Sequence, residues 1–225
     1  MVQGFIFDMD GVLVDSEPIY FEVNKLFLQQ LGVQLSTVDF EKYVGCSAIR
    51  MWTEIREEYR IPLDTMDLIA LEKEAFYKHI SRMHSLSPIP GIVEFLKRVQ
   101  KAGFSLSLAS SSARKNILKV LEKADLDVFF PLITSGEDVE NGKPSPDIFL
   151  LAAVKSNLDP KQCVVIEDSF NGVTAAKSAG MTCVGFQNLN SGNQNLSKAD
   201  LVITNFSEKE VEKIFHLIGS NSKNN

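Results

Sequence analysis

The sequence is poor in the residue types that mark several specialised classes of protein. Its 225 residues include three cysteines, Cys46, Cys163 and Cys183, whose spacing matches neither a CxxC pair nor a zinc site. Two of them lie in strand-like runs, so we expect buried, reduced thiols. The sequence also lacks an apolar run long enough to span a bilayer, and the first residues, MVQGFIFD, resemble a strand rather than a signal peptide. We therefore expect a cytoplasmic protein.

Positive charge is also in the minority. Lys and Arg number 23 against 29 Asp and Glu, which gives a formal net charge of −6 at pH 7. Such a chain lacks the broad basic surface that nucleic acid or an anionic membrane would favour, so we expect neither as a partner. A hydrophobic fraction of 44% is ample for a packed core, and nothing in the sequence requires more than a monomer.

What the sequence does contain is an alternation of short apolar strands and amphipathic helices. Ile92, Phe95, Leu96 and Val99, for example, recur at helical spacing. The alternation predicts right-handed βαβ units, and hence an α/β fold with a Rossmann-like, doubly wound parallel sheet covered on both faces. The strand-like runs are VQGFIF, FSLSLA, PLIT, CVVIE, TCVGF and DLVIT.

Residues 17–87 interrupt this alternation with helical patterns only, and we call them the helical insertion. Pro-containing segments, Ser16-Glu17-Pro18 and Ser87-Pro88-Ile89-Pro90, bound it like a paired hinge. We therefore predict a catalytic core of residues 1–16 and 88–219, an inserted all-helical domain of residues 17–87, and a disordered tail of residues 220–225.

Polar residues follow four of the predicted strands. Ligands of open parallel sheets bind beyond the carboxyl ends of the strands, so these side chains are candidates for one site. Together they supply carboxylates, hydroxyls and one ammonium, which suit a divalent cation plus a phosphate group. They are Asp8 and Asp10, then Ser110, Ser111 and Ser112, then Lys143, and finally Glu167, Asp168 and Ser169.

Asp8 and Asp10 are the most informative pair. Residues i and i+2 of an extended chain point to the same side, so both carboxylates can face one site. Charges this close would force a proton onto one of them unless a cation lies between them, and Mg²⁺ suits such hard oxygen ligands. Asp168 could complete the coordination shell from a neighbouring strand. The alternative is a solvated turn with incidental acidic residues.

Each of the other strand ends also has a purely structural interpretation. Ser112 is the expected N-cap of the following helix, while Ser110 could bind phosphate at that helix N-terminus. Lys143 before Pro144 fits a solvated turn, or it could offset the charge of a phosphoryl group. Glu167 and Asp168 end an apolar strand, where the alternative is a helix N-cap by Asp168 or Ser169.

Taken in order, these features resemble the haloacid dehalogenase superfamily, in its branch with a helical cap inserted after the first motif. FDMDGVLVDSEP, LASSS, GKPSPDIF and IEDSFNG resemble its four motifs. The resemblance implies that Asp8 is a phosphoryl-accepting nucleophile and Asp10 a general acid and base. It implies a Mg²⁺ site at Asp8, the Asp10 carbonyl and Asp168, with Glu167 holding a metal-bound water. The residues it assigns to phosphate binding are Met9, Ser110, Ser111 and Lys143.

The same resemblance implies that the helical insertion is a lid whose inner surface sets specificity. The candidate residues are Tyr20, Asn24, Gly45, Cys46, Ser47 and Arg50. The alternatives are packing within the insertion for Tyr20 and a solvated helix face for Arg50. Packing is the preferred interpretation of Trp52.

The resulting functional prediction is a Mg²⁺-dependent phosphatase of small phosphorylated metabolites, with sugar phosphates as the expected substrates. Asp10 argues against dehalogenases and phosphonatases, which typically lack this second aspartate. One alternative is a β-phosphoglucomutase-like enzyme, although this chain has Tyr20 in place of that pattern's histidine and Ala48 in place of its arginine. An alternative of another class is a non-catalytic phosphate- or metal-binding protein that retains the fold.

Overall fold

A computed structural model describes residues 1–34, 43 and 47–220 of the chain. Six parallel strands form one sheet in the order β3-β2-β1-β4-β5-β6, which confirms the predicted doubly wound topology. The strands are β1 Gly4–Phe7, β2 Ser105–Ser110, β3 Leu132–Ser135, β4 Cys163–Glu167, β5 Thr182–Phe186 and β6 Leu201–Ile203.

The central strand β1 shows why the sheet is covered on both faces. Phe5 and Phe7 belong to one hydrophobic cluster, whereas Ile6 between them belongs to the other. This is the period of two that a strand buried on both sides requires. β1 pairs with β2 on one side and β4 on the other, so the strand order reverses at its carboxyl end. Such a reversal opens a crevice in which ligands of this architecture bind.

Helices pack on the sheet in two layers. One hydrophobic cluster contains residues of α4 Ile92–Lys101, α5 Arg114–Lys123 and α8 Glu208–Ser220. The opposite cluster contains residues of α6 Asp147–Lys155 and α7 Phe170–Ser178. None of the helices in the described residues is both long enough and apolar enough to cross a bilayer. Ser220 ends α8, and residues 221–225 of the predicted tail lie outside the described residues.

The described part of the helical insertion contains α1 Glu17–Gln30, α2 Ala48–Tyr59 and α3 Thr65–Arg82. These helices share a separate hydrophobic cluster around Trp52, which is fully buried. The Trp52 indole N–H donates to Glu72 Oε2 at 2.9 Å, in agreement with the packing role expected for this residue. The domain boundaries at residues 16/17 and 87/88 stay a prediction.

Candidate active site

Lys143 connects three of the strand ends. Its Nζ donates to Asp8 Oδ1 at 2.5 Å, to Glu167 Oε1 at 2.7 Å and to the Ala109 carbonyl at 3.3 Å. Burial alone would lower the pKa of Lys143, but the Asp8 and Glu167 carboxylates outweigh this effect and raise the pKa above its usual range. The ammonium therefore remains charged within a buried contact.

Asp8, Glu167 and Asp168 form a buried group of carboxylates. One ligand oxygen from each lies within 4.8 Å of the others. Burial raises the pKa of Asp8 to about 8 and that of Asp168 well above its usual range, although Lys143 opposes both shifts. In their ionised forms the three carboxylates outnumber the one ammonium that contacts them, and a divalent cation with a preference for hard oxygen ligands fits the excess negative charge.

Gly11 allows the first loop to approach this group. Its φ is +76°, a left-handed backbone conformation that residues other than glycine rarely adopt. A Cβ atom at this position would lie 1.9 Å from Asp168 Oδ2. The Gly11 N–H donates to the Val14 carbonyl at 2.8 Å, so the turn closes directly after Asp10.

The Asp10 carboxylate faces the serines at the end of β2 and just beyond it. Ser112 Oγ donates to Asp10 Oδ2 at 2.9 Å, and Ser110 Oγ lies 3.5 Å from the same oxygen. Desolvation raises the pKa of Asp10, although the hydroxyls of Ser16 and Ser112 oppose the shift. A raised pKa favours the protonated form, which is the form that a general acid needs.

The prediction that Ser112 caps α5 is wrong. The N-cap of that helix is Ala113, without a side-chain capping bond, and the Arg114 N–H donates to Glu137 Oε2 at 2.9 Å instead. The Ser112 hydroxyl is committed to Asp10 because the loop after β2 lies against the loop after β1. This contact between residues distant in sequence outweighs the local capping preference.

The capping alternative holds for Ser169 but not for Asp168. Ser169 Oγ accepts the Gly172 N–H at 3.0 Å and caps α7. Glu167 Oε2 in turn accepts the Ser169 N–H at 2.7 Å and the Ser169 hydroxyl at 2.9 Å. Asp168 accepts a hydrogen bond from the Ser191 hydroxyl and stays in the acidic group.

Ser191 belongs to a loop that the sequence analysis did not identify. In the same loop, Asn188 Nδ2 donates to the Gly11 carbonyl at 3.0 Å, and Asn190 Nδ2 donates to Asp15. The loop therefore contacts both the first strand end and Asp168. It follows β5, so the strand-end rule applied to that strand would have identified it.

The remaining phosphate-binding candidates differ in exposure. Ser110 is fully buried and Ser111 is exposed. The Met9 side chain is buried in the hydrophobic core, and the Met9 carbonyl accepts the Leu13 N–H at 2.9 Å. The backbone N–H is therefore the group of Met9 that is suited to an anion.

Of the candidates in the helical insertion, Tyr20 contacts the core site. Its hydroxyl lies 3.3 Å from Ser112 Oγ. Asn24 is buried and hydrogen-bonds to Glu72 within the insertion. Ser47 is the N-cap of α2 and accepts the Arg50 N–H at 3.3 Å, and Arg50 Nε donates to Glu54 Oε1 at 2.8 Å. Gly45 and Cys46 lie outside the described residues.

Comparisons with known proteins agree with this geometry. A profile of the haloacid dehalogenase-like hydrolases matches residues 5–186. The chain is 36% identical to the phosphorylated carbohydrates phosphatase of Thermotoga maritima, over 80% of this chain and 82% of that protein. It is 29% identical to the beta-phosphoglucomutase of Bacillus subtilis, over 94% and 93% of the two chains.

A solved structure shows the same fold. The chain matches the beta-phosphoglucomutase of Clostridium difficile with a TM-score of 0.80 and 28% identity, over 98% of this chain and 99% of that one. The profile match, the relatives and the shared fold lead to one conclusion: the chain belongs to the haloacid dehalogenase-like hydrolases and is a phosphoric monoester hydrolase of that family.

Proposed function

We propose that this protein is a Mg²⁺-dependent phosphatase of small phosphorylated metabolites, with sugar phosphates as its substrates and an aspartyl-phosphate on Asp8 as its intermediate. The observation that best supports this proposal is the buried contact of Lys143 with both Asp8 and Glu167, beside Asp168. A nucleophilic carboxylate needs such positive charge nearby because its target, a phosphate ester, is itself an anion.

The cation site of this proposal uses the carboxylates of Asp8 and Asp168 and the main-chain carbonyl of Asp10. Glu167 fits an outer position, since its Oε1 already accepts from Lys143 and its Oε2 accepts twice from Ser169. When bound, Mg²⁺ would offset negative charge on the phosphoryl group.

In the first step, an Asp8 carboxylate oxygen forms a bond to phosphorus while the ester P–O bond breaks. Protonated Asp10 gives its proton to the leaving oxygen, so an alcohol departs. In the second step, the Asp10 carboxylate takes a proton from water, and the water oxygen attacks phosphorus. The P–O bond to Asp8 breaks, which releases inorganic phosphate and restores the Asp8 carboxylate. Lys143 and the hydroxyl groups of Ser110 and Ser111 stabilise the charge on the transferred phosphoryl group.

Sugar phosphates are the proposed substrate class because the Thermotoga relative is named for phosphorylated carbohydrates. The Bacillus relative, named a beta-phosphoglucomutase, keeps a second candidate function open. In that case a sugar hydroxyl, instead of water, would accept the phosphoryl group from Asp8. Tyr20 and Ala48, which differ from the mutase pattern, favour the phosphatase.

The test is phosphate release from a panel of sugar phosphates with Mg²⁺, with isomerisation of β-glucose 1-phosphate followed in parallel. Asp8→Asn should abolish turnover while the protein stays folded, because the amide cannot accept the phosphoryl group. Asp127→Asn, the same change at an exposed position, should leave turnover unchanged. Conversion to glucose 6-phosphate with little free phosphate would identify a mutase. No turnover of any ester would favour a binding protein, and an active Asp8→Asn would refute the nucleophile.

A further inference from the structure

Two consecutive hydrogen bonds connect the helical insertion to Asp10. The Tyr20 hydroxyl lies 3.3 Å from Ser112 Oγ, and Ser112 Oγ lies 2.9 Å from Asp10 Oδ2. Tyr20 lies in α1, Ser112 follows β2 and Asp10 follows β1. Residues far apart in sequence therefore meet in one line that ends on a carboxylate of the candidate active site.

The chemistry of the groups sets the direction of these bonds. Ser112 Oγ donates to Asp10 Oδ2, which accepts when the carboxyl group is ionised and also when the proton is on Oδ1. Ser112 Oγ can then accept a hydrogen bond from the Tyr20 hydroxyl, which leaves the serine with one hydrogen-bonding arrangement instead of several. The Ser112 N–H donates to Ser110 Oγ at 3.1 Å, which holds the backbone in place as well.

The two oxygens of Asp10 have different surroundings. Oδ2 accepts from Ser112, whereas Oδ1 is buried and has no well-formed hydrogen bond among the described residues. The Ser16 hydroxyl also faces the Asp10 carboxylate and favours its ionised form. Ser112 thus anchors Oδ2, and Oδ1 is the oxygen that can exchange a proton with a reacting group. Without the Ser112 bond, the carboxyl group could rotate and exchange the two positions.

The packing of the helical insertion fixes the position of the Tyr20 hydroxyl. The Tyr20 ring stacks on Phe76 of α3, with ring centroids 4.2 Å apart and planes 17° apart. Both rings pack against the main hydrophobic cluster of the core. The hydroxyl therefore reaches Ser112 when α1 and α3 are seated on the core as they are here.

We infer that Tyr20 and Ser112 are positioning residues that orient the Asp10 carboxyl group and make proton delivery depend on the seating of the helical insertion. The inference rests on the proposed function, in which Asp10 protonates the leaving oxygen. It assigns the Tyr20 hydroxyl to Asp10, through Ser112, and not to direct recognition of the substrate.

A double-mutant cycle separates these two roles. Tyr20→Phe keeps the ring and its stacking on Phe76, and Ser112→Ala removes the link to Asp10. With a sugar or alkyl phosphate, each single change should lower kcat/KM by about tenfold, a fraction of what a general acid contributes. Tyr20→Phe should cost almost nothing further in the Ser112→Ala background, since residues that act through one another are not additive.

The choice of leaving group gives a second readout. p-Nitrophenyl phosphate releases a stable phenolate that needs no proton, so both variants should lose much less kcat/KM with it. Ser112→Thr, which retains a hydroxyl, should recover part of the loss. Tyr77→Phe is the matched control in α3, where the Tyr77 ring contacts Lys115 rather than Ser112, and it should leave both esters unaffected.

Several results would overturn the inference. One such result is an active wild-type enzyme and a Tyr20→Phe variant with the same kcat/KM. Another is a double mutant in which the free-energy losses of the two single variants add. Equal losses of kcat/KM with both esters would show that Tyr20 either binds the substrate or only stabilises the fold. A lower melting temperature of the variant would identify the second case. If the wild-type protein releases no phosphate with Mg²⁺, the proposed function is wrong and the inference falls with it.

Discussion

Gly11 is the residue at which atomic spacing constrains the site most tightly. A Cβ atom there would meet Asp168 Oδ2 at 1.9 Å, and φ is +76°. We expect Gly11→Ala to weaken Mg²⁺ binding and to lower phosphatase activity strongly, because either the loop or Asp168 must move. Isothermal titration with Mg²⁺ and a phosphate-release assay measure the two effects.

Gly32 provides the matched control for this substitution. Its φ is +77°, but a Cβ atom there would meet no atom of the described residues within 4 Å. Gly32→Ala should therefore cost only the left-handed backbone conformation, about 1 kcal/mol of unfolding free energy, with unchanged activity. Equal effects of the two substitutions on activity would contradict the close approach of Gly11 to Asp168.

Sequence reasoning at the scale of single residues succeeds where chemistry and strand position coincide. Asp8, Lys143 and Glu167 are acidic or basic residues just beyond buried strands, and the structure brings them into direct contact. Ser112 was misassigned because a serine before a helix satisfies a local rule, whereas its partner Asp10 lies far away in sequence. Ser191 was not predicted because the strand-end rule was applied to the first four strands and not to β5, after which Ser191 lies and contacts Asp168.

Among the structural elements, Asp138 joins a strand and two helices beside the loop that carries Lys143. It accepts from Arg114 Nη2 at 2.6 Å and from Lys155 Nζ at 2.7 Å, near the start of α5 and the end of α6. It also accepts the N–H of Ser135, the last residue of β3, at 3.1 Å. The hydrogen bond from Lys155 is the main cause that holds the pKa of Asp138 below its usual range, followed by that from Arg114.

Asp138→Asn should therefore lower the free energy of unfolding by about 1–2 kcal/mol at pH 7, a value reduced for the partial exposure of these side chains. The folded-state pKa lies below the unfolded value of about 3.9, so the carboxylate stabilises the fold above that pH. This contribution should shrink as the pH falls through the lower, folded-state pKa. Urea unfolding of both proteins at pH 7 and at successively lower pH measures it, and a difference that does not change with pH would contradict the ionic origin.

The elements themselves were predictable because each has a strong periodic pattern. The apolar runs that predicted strands correspond to β1–β6, and the helical spacing of Ile92, Phe95, Leu96 and Val99 corresponds to α4. The contact of α3 with α5 could not be read from either helix alone. It depends on interactions such as Asn116 Nδ2 with the Lys73 carbonyl at 3.3 Å and the ion pair of Lys115 with Glu74.

At the scale of the whole molecule, the candidate active site lowers the free energy of unfolding in the absence of a cation. Asp8, Glu167 and Asp168 are buried together, and Lys143 is the cation in contact with two of them. Burying like charges raises their pKa values and destabilises the ionised folded protein. The hydrophobic packing of the sheet must offset this destabilisation to hold the strand ends together. A bound cation should therefore increase the free energy of unfolding of the entire chain.

Mg²⁺ should therefore raise the melting temperature of the protein. A ligand that binds only the folded state at 100 times its Kd adds about 2.7 kcal/mol to the unfolding free energy, which is about 5–10 °C for a chain of this size. Differential scanning calorimetry with MgCl₂, against NaCl at equal ionic strength, measures the shift. Asp168→Asn should remove most of it while Asp127→Asn retains it, because Asp168 belongs to the buried acidic group and Asp127 is exposed. An equal melting temperature in the two salts would refute a Mg²⁺ site in the folded protein.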